Sequence, residues 1–166
     1  MARIKALRPN YLDASALVKL VIDEEYSPRV RAFVFAPEQS WRVCTIYCFV
    51  EALGALKRQH AQGQLSERSY IAGSRRLVRL AKNDSIELIE GDFPSAASFT
   101  EAEKMVKTHG IDFLDAFQLI SVKGSWRYLA SPSQPILVTA DGKLSEAAEK
   151  EGLKCWYCRE THGPKC

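Results

Sequence analysis

Apolar residues along this chain fall into two rhythms. Short, dense runs read as strands: one closing at Tyr11-Leu12, one from Trp41 to Ile46, one from Ile86 to Ile89, one from Pro135 to Thr139 and a last one from Leu153 to Tyr157. The run ending at Thr139 is almost continuously apolar, as expected of a strand buried on both faces of a parallel sheet. Between these runs the spacing lengthens to that of helices. Ala14 to Val21 is the first. Ser27-Pro28 opens a second, with Ser27 as N-cap, through about Phe35. A long helix starts at Thr45, carries Phe49, Leu53 and Leu56 at helical spacing, and closes at Gly63. Further helices are predicted over Ser66 to Lys82, Pro94 to His109 with Gly110 as the stop, Asp112 to Tyr128, and Gly142 to Glu151. Ser131 to Pro135 reads as a loop. Strands alternating with helices predict an α/β domain whose central parallel sheet is covered on both faces.

Length and composition narrow the class. The 166 residues suit one domain spanning 1–166, and a 46% hydrophobic content supplies one ordinary core. A net charge of +3 permits a nucleic-acid partner without requiring one. No apolar run reaches the length of a membrane span, and the first residues lack a signal-peptide pattern. Five cysteines without such a signal predict a reduced, cytoplasmic protein.

Four acids then stand out, because each lies beside an apolar run where a carboxylate is expensive. Asp13 and Asp141 directly follow strand-like runs, Glu51 sits in the first half of a helix, and Asp115 lies in the first turn of another. Taken singly, each has an ordinary role: Asp13 and Asp141 as helix caps, Asp115 as a partner of the helix dipole, Glu51 reaching for solvent. Together, in the crevice at the carboxyl ends of neighbouring strands, they would repel one another and favour a hard divalent cation. Asp112, three residues before Asp115 and so able to share its helix face, is read as a helix cap in preference to a group on the site's rim. A stripe of Arg75, Arg76, Arg79 and Lys82 is either a solvated face or a flank for phosphates.

These motifs resemble the PIN-domain family, particularly the VapC-type toxins. Tyr11-Leu12-Asp13-Ala14-Ser15 is similar to its opening strand, Val50-Glu51-Ala52-Leu53 to its glutamate helix, Leu114-Asp115-Ala116-Phe117 to its second aspartate motif, and Val138-Thr139-Ala140-Asp141-Gly142 to its last acidic motif. The order matches along the whole chain. Gln118 departs from it, standing where many relatives have histidine, and Ser121-Val122 replaces a commoner pair of small residues. The resemblance implies a three-layer α/β/α fold and a Mg²⁺- or Mn²⁺-dependent endoribonuclease, with a small antitoxin as partner and a homodimeric assembly. It gives Asp13, Glu51, Asp115 and Asp141 the acidic-site roles. Asp13 and Asp115 would ligate directly, Asp141 directly or through water, and Glu51 would position water or a second metal. Ser15 and Thr139 fall where hydroxyls would orient those carboxylates.

Two readings compete. One is a PIN-like module that binds RNA or protein without cleaving. The other is a small zinc-binding interaction protein using Cys155, Cys158, His162 and Cys166, whose spacing approaches that of a zinc knuckle. Cys44 and Cys48 read as buried hydrophobes.

Overall fold

The computed structural model describes residues 8–36, 41–90, 95–126 and 134–160. Strands β1 (Pro9–Leu12), β2 (Trp41–Thr45), β3 (Glu87–Ile89), β4 (Ile136–Thr139) and β5 (Lys154–Tyr157) form one parallel sheet in the order β3-β2-β1-β4-β5. Helices α1 (Ala14–Val21), α2 (Ser27–Val34), α3 (Ile46–Ala61), α4 (Glu67–Lys82), α5 (Ala96–His109), α6 (Phe113–Trp126) and α7 (Gly142–Lys150) connect them.

The strands' twofold alternation builds two cores. Leu12, Cys44, Ile136, Val138 and Trp156 point to one face, where Leu17, Val30, Ala52, Leu56 and Leu77 from α1 to α4 cover them. Tyr11, Val43 and Leu137 point to the other, under Ala102, Met105, Ala116, Leu119, Leu144 and Ala147 from α5 to α7. The chain is therefore a three-layer α/β/α sandwich. All four residues of β1 and of β4 are buried, which explains why those runs lack the polar alternation of a half-exposed strand.

Caps set most helix starts. Thr45, Ser66 and Ser95 each accept a hydrogen bond from the backbone N–H three residues on. Thr45 ends β2 and caps α3, so the strand stops one residue earlier than its apolar run suggests. Gly110 ends α5 at a φ of 67°, in the left-handed region that favours glycine. The second helix departs from expectation. Ser27 is not its cap: Tyr26 occupies that position at a φ of 67° with no side-chain capping bond. The Ser27 hydroxyl instead donates to the Ile22 carbonyl at 2.8 Å and accepts from the Glu24 amide at 3.1 Å, closing the preceding turn. The expected start at Pro94, the expected end at Tyr128 and most of the loop before Gln134 lie outside the described residues.

Candidate active site

The sheet order reverses direction around β1. From β1 the chain lays β2 and β3 to one side, then returns to place β4 against β1's other edge. Such a switch point leaves a crevice at the strands' carboxyl ends. Asp13 follows β1 and Asp141 lies two residues beyond β4, so pairing of these strands brings both acids to that crevice.

Asp13 is held firmly. It is 4% exposed. Its Oδ2 accepts from the Ser15 amide at 3.1 Å, the Ser15 hydroxyl at 2.5 Å and the Thr139 hydroxyl at 3.0 Å. The two hydroxyls are themselves fixed: the Ala140 amide donates to Ser15 Oγ at 2.8 Å and the Asp141 amide to Thr139 Oγ1 at 2.9 Å. Ser15 and Thr139 thus tie the end of β1 to the end of β4. Burial pushes the Asp13 carboxyl up from its ordinary value, and the bonds from Ser15 and Thr139 pull it back only in part.

Glu51 faces Asp13 from α3. Donor atoms of Asp13, Cys48 and Glu51 all lie within 4.8 Å of one another, with Cys48 and Glu51 three residues apart on one helical face. Burial and then the Asp13 charge push Glu51 up to about 7. Asp115 and Asp141 lie outside that three-donor group but are coupled to it, Asp141 raising Glu51 and Asp115 being raised by Asp13 and Glu51. Asp115 is raised to about 7, first by burial and then by Asp112, Asp13, Asp141 and Glu51 in turn. The four expected acids therefore share one electrostatic neighbourhood.

The ordinary roles hold at the same time. Asp13 caps α1, and Asp141 caps α7 by accepting from the Lys143 and Leu144 amides at 2.7 and 3.1 Å. Asp112 accepts from the Asp115 amide at 2.9 Å and so caps α6, as expected. It also does more: its charge raises both Asp115 and Glu51, making it a fifth carboxylate of the site. The three-residue spacing from Asp115 carried that signal.

Cys48 is the residue that the sequence reading missed. It is a buried hydrophobe, 1% exposed, but its thiol also stands between two carboxylates. Burial, then the Asp13 charge, pushes it far up, so it stays protonated and donates to Gln118 Oε1 at 3.0 Å. That bond gives buried Gln118 a role. Ser121 has one as well, since its hydroxyl and the Phe117 carbonyl meet the Tyr47 hydroxyl at 2.7 and 3.1 Å and lock α3 to α6.

The cysteines near the end of the chain are arranged differently. Cys155 packs beside the α5–α7 core and donates to Ser145 Oγ at 3.4 Å, while Cys158 is buried in the α1–α4 core. Two thiols on opposite faces of a sheet do not share a tetrahedral ion. His162 and Cys166 lie outside the described residues. No helix among the described residues is long and apolar enough to cross a membrane.

Neither a scan of protein-family models nor a search of curated proteins matches this chain. Among solved structures it is similar to one described as the crystal structure of PAE2754 from Pyrobaculum aerophilum, at 24% identity over 86% of each chain with a TM-score of 0.52. That likeness supports the α/β/α fold and nothing finer.

Proposed function

We propose that this chain is a Mg²⁺- or Mn²⁺-dependent endoribonuclease of the PIN-domain, VapC-like type. The observation that carries the reading is the convergence of Asp13, Glu51, Asp112, Asp115 and Asp141 in one crevice, where burial and then mutual repulsion raise two of them to about 7. Structural carboxylates in folded proteins are normally paired; an unpaired group of this size is costly unless a cation joins it. The donor set fits a hard ion. With the Cys48 thiol held protonated, only oxygens remain.

In this reading Asp13 and Asp115 would hold the ion directly, Asp141 would contribute its remaining oxygen or act through a water, and Glu51 would position water or a second metal. A bound divalent ion supplies the acidity that makes water a nucleophile near neutral pH and neutralises charge on the phosphate. Ser15 and Thr139 keep the Asp13 carboxylate from turning. Glu51, half-buried beside Asp13, would accept the proton of the attacking water.

The partners implied by the resemblance belong to the same proposal: RNA as substrate, a small antitoxin, and a second copy of the chain. Exposed Val50 and Leu114, at 59% and 40%, adjoin Glu51 and Asp115 in sequence and offer apolar surface for a protein partner. The free state of the four described cysteines agrees with a reducing cytoplasm.

The test is incubation of structured RNA with wild-type protein and Asp13→Asn, in Mg²⁺ or Mn²⁺ and in EDTA. Cleavage is expected only from wild type with metal. Equal cleavage by both proteins sinks the acidic-site mechanism, and RNA binding without any cleavage favours the non-cleaving module.

A further inference from the structure

Positions 47, 51, 54 and 58 of α3 recur at intervals of four, three and four, and so share one helical face. Tyr47 docks this face on α6, and Glu51 enters the acidic crevice. The Arg58 guanidinium then lies over Gly54. A Cβ built at Gly54 would stand 3.4 Å from Arg58 Nη1. The guanidinium is thus folded back along the helix toward Glu51, although Arg58 is exposed and has open solvent available.

Nothing among the described residues hydrogen-bonds or ion-pairs with the Arg58 guanidinium, and it is the one cation among the leading influences on Glu51. The arginines of α4 have no such standing. That helix packs on α1 and on the other side of α3, where Tyr70 stacks on His60 at 5.2 Å. Among the described residues, Arg58 is thus the positive group that acts on Glu51, its guanidinium lying level with Gly54, about one helical turn along α3 from position 51.

We propose that Arg58 is a phosphate-binding residue of the acidic site, gripping the RNA phosphate next to the one that is cut, with its guanidinium laid back over Gly54 toward Glu51. The inference rests on the nuclease reading above. A polyanion approaching five carboxylates needs a cation beyond the bound metal. The planar arginine fork pairs with two phosphate oxygens at once, which a lysine does not reproduce.

The experiment measures binding of a fluorescein-labelled single-stranded RNA by anisotropy across a salt series, in Ca²⁺, for wild type, Arg58→Gln and Arg58→Lys. Steady-state cleavage in Mn²⁺ runs in parallel. Arg58→Gln should flatten the slope of log affinity against log salt by about 0.7, the contribution of one single-stranded phosphate contact. It should also raise KM several-fold with kcat nearly unchanged. Arg58→Lys should restore the salt slope and only part of the KM. Absence of RNA binding by wild type, or equal slopes for wild type and Arg58→Gln, overturns the inference. Equal slopes with a shifted pH profile would show that Arg58 merely tunes Glu51. A slope difference without cleavage by wild type would leave the phosphate contact standing and remove the nuclease reading.

Discussion

Helix α6 carries an ionisable group at each end, and the two ends differ in one respect that decides what each region does. Near its start, Asp115 joins four other carboxylates. Near its end, Lys123 donates to Glu101 at 3.1 Å and Glu151 at 2.7 Å, while His109 meets the other Glu151 oxygen at 2.8 Å. Both regions are partly buried and both collect acids. At the paired end, hydrogen bonds from Lys123 and then His109 hold Glu151 below the usual carboxylate range. At the unpaired end, burial and like charge lift Asp115 to about 7. The paired network joins α5, α6 and the end of α7, and its charges are satisfied within the fold. The unpaired cluster opposes the fold at neutral pH, and a sequence keeps such a group most readily where a ligand completes it.

The comparison breaks first at Asp115. Asp115→Asn should reduce metal-dependent cleavage at least about a hundredfold, as expected for losing a ligand of a metal site. It should also stabilise the metal-free protein in EDTA at pH 8 by roughly 1 kcal/mol, because one member of a repelling group is gone; solvent screening of a partly exposed acid keeps that gain small. Both changes are read from RNA cleavage rates and denaturant unfolding of one preparation. A variant that loses stability in EDTA would show that the cluster is already compensated.

A pH series sharpens the contrast. Asp115 and Glu51 have folded values of about 7, above their unfolded ones, so the folded chain binds more protons over that window. Stability in EDTA should therefore rise as pH falls from about 8 to 5.5, and fall again on return. The sign is opposite for Glu151: its depressed value contributes stability above the ordinary carboxylate range, lost on acidification below it. Thermal unfolding of wild type and Asp115→Asn at several pH values separates them, with the variant showing the smaller rise. The smallest effect belongs to the paired end. Glu151→Gln should cost about 1 kcal/mol, the scale of a partly exposed ion pair, and leave metal-dependent cleavage unchanged.

Much of this was legible in the sequence, for physical reasons. The dense apolar run before Asp141 announced a doubly buried strand, and such strands need helices on both faces. Asp13 and Asp141 were readable because strand ends fix where a following side chain points. Their adjacency depended on β1 pairing with β4 across more than a hundred residues, which no local pattern records. Cys48 was hidden because a cysteine between apolar neighbours looks the same whether it packs only on carbon or also meets carboxylates. Asp112 was half visible: the cap was local, whereas its effect on Glu51 arises only when α3 and α6 meet. Ser27 misled because the Ser-Pro pattern fits an N-cap, while the turn from Ile22 claimed its hydroxyl. The placement of the Arg58 guanidinium over Gly54 needed the structure, since an exposed arginine on a helix has many directions to take.

On the proposed reading, a divalent cation completes the cluster of five acids. Calorimetric titration with Mn²⁺ at pH 7, repeated in buffers of different ionisation enthalpy, counts the protons released on binding. Glu51 and Asp115 are each about half protonated there, so one ion should bind wild type with release of about one proton, falling toward zero at pH 9. Asp13→Asn should bind far more weakly. Equal binding by both proteins, or binding with no proton release at pH 7, would contradict the account.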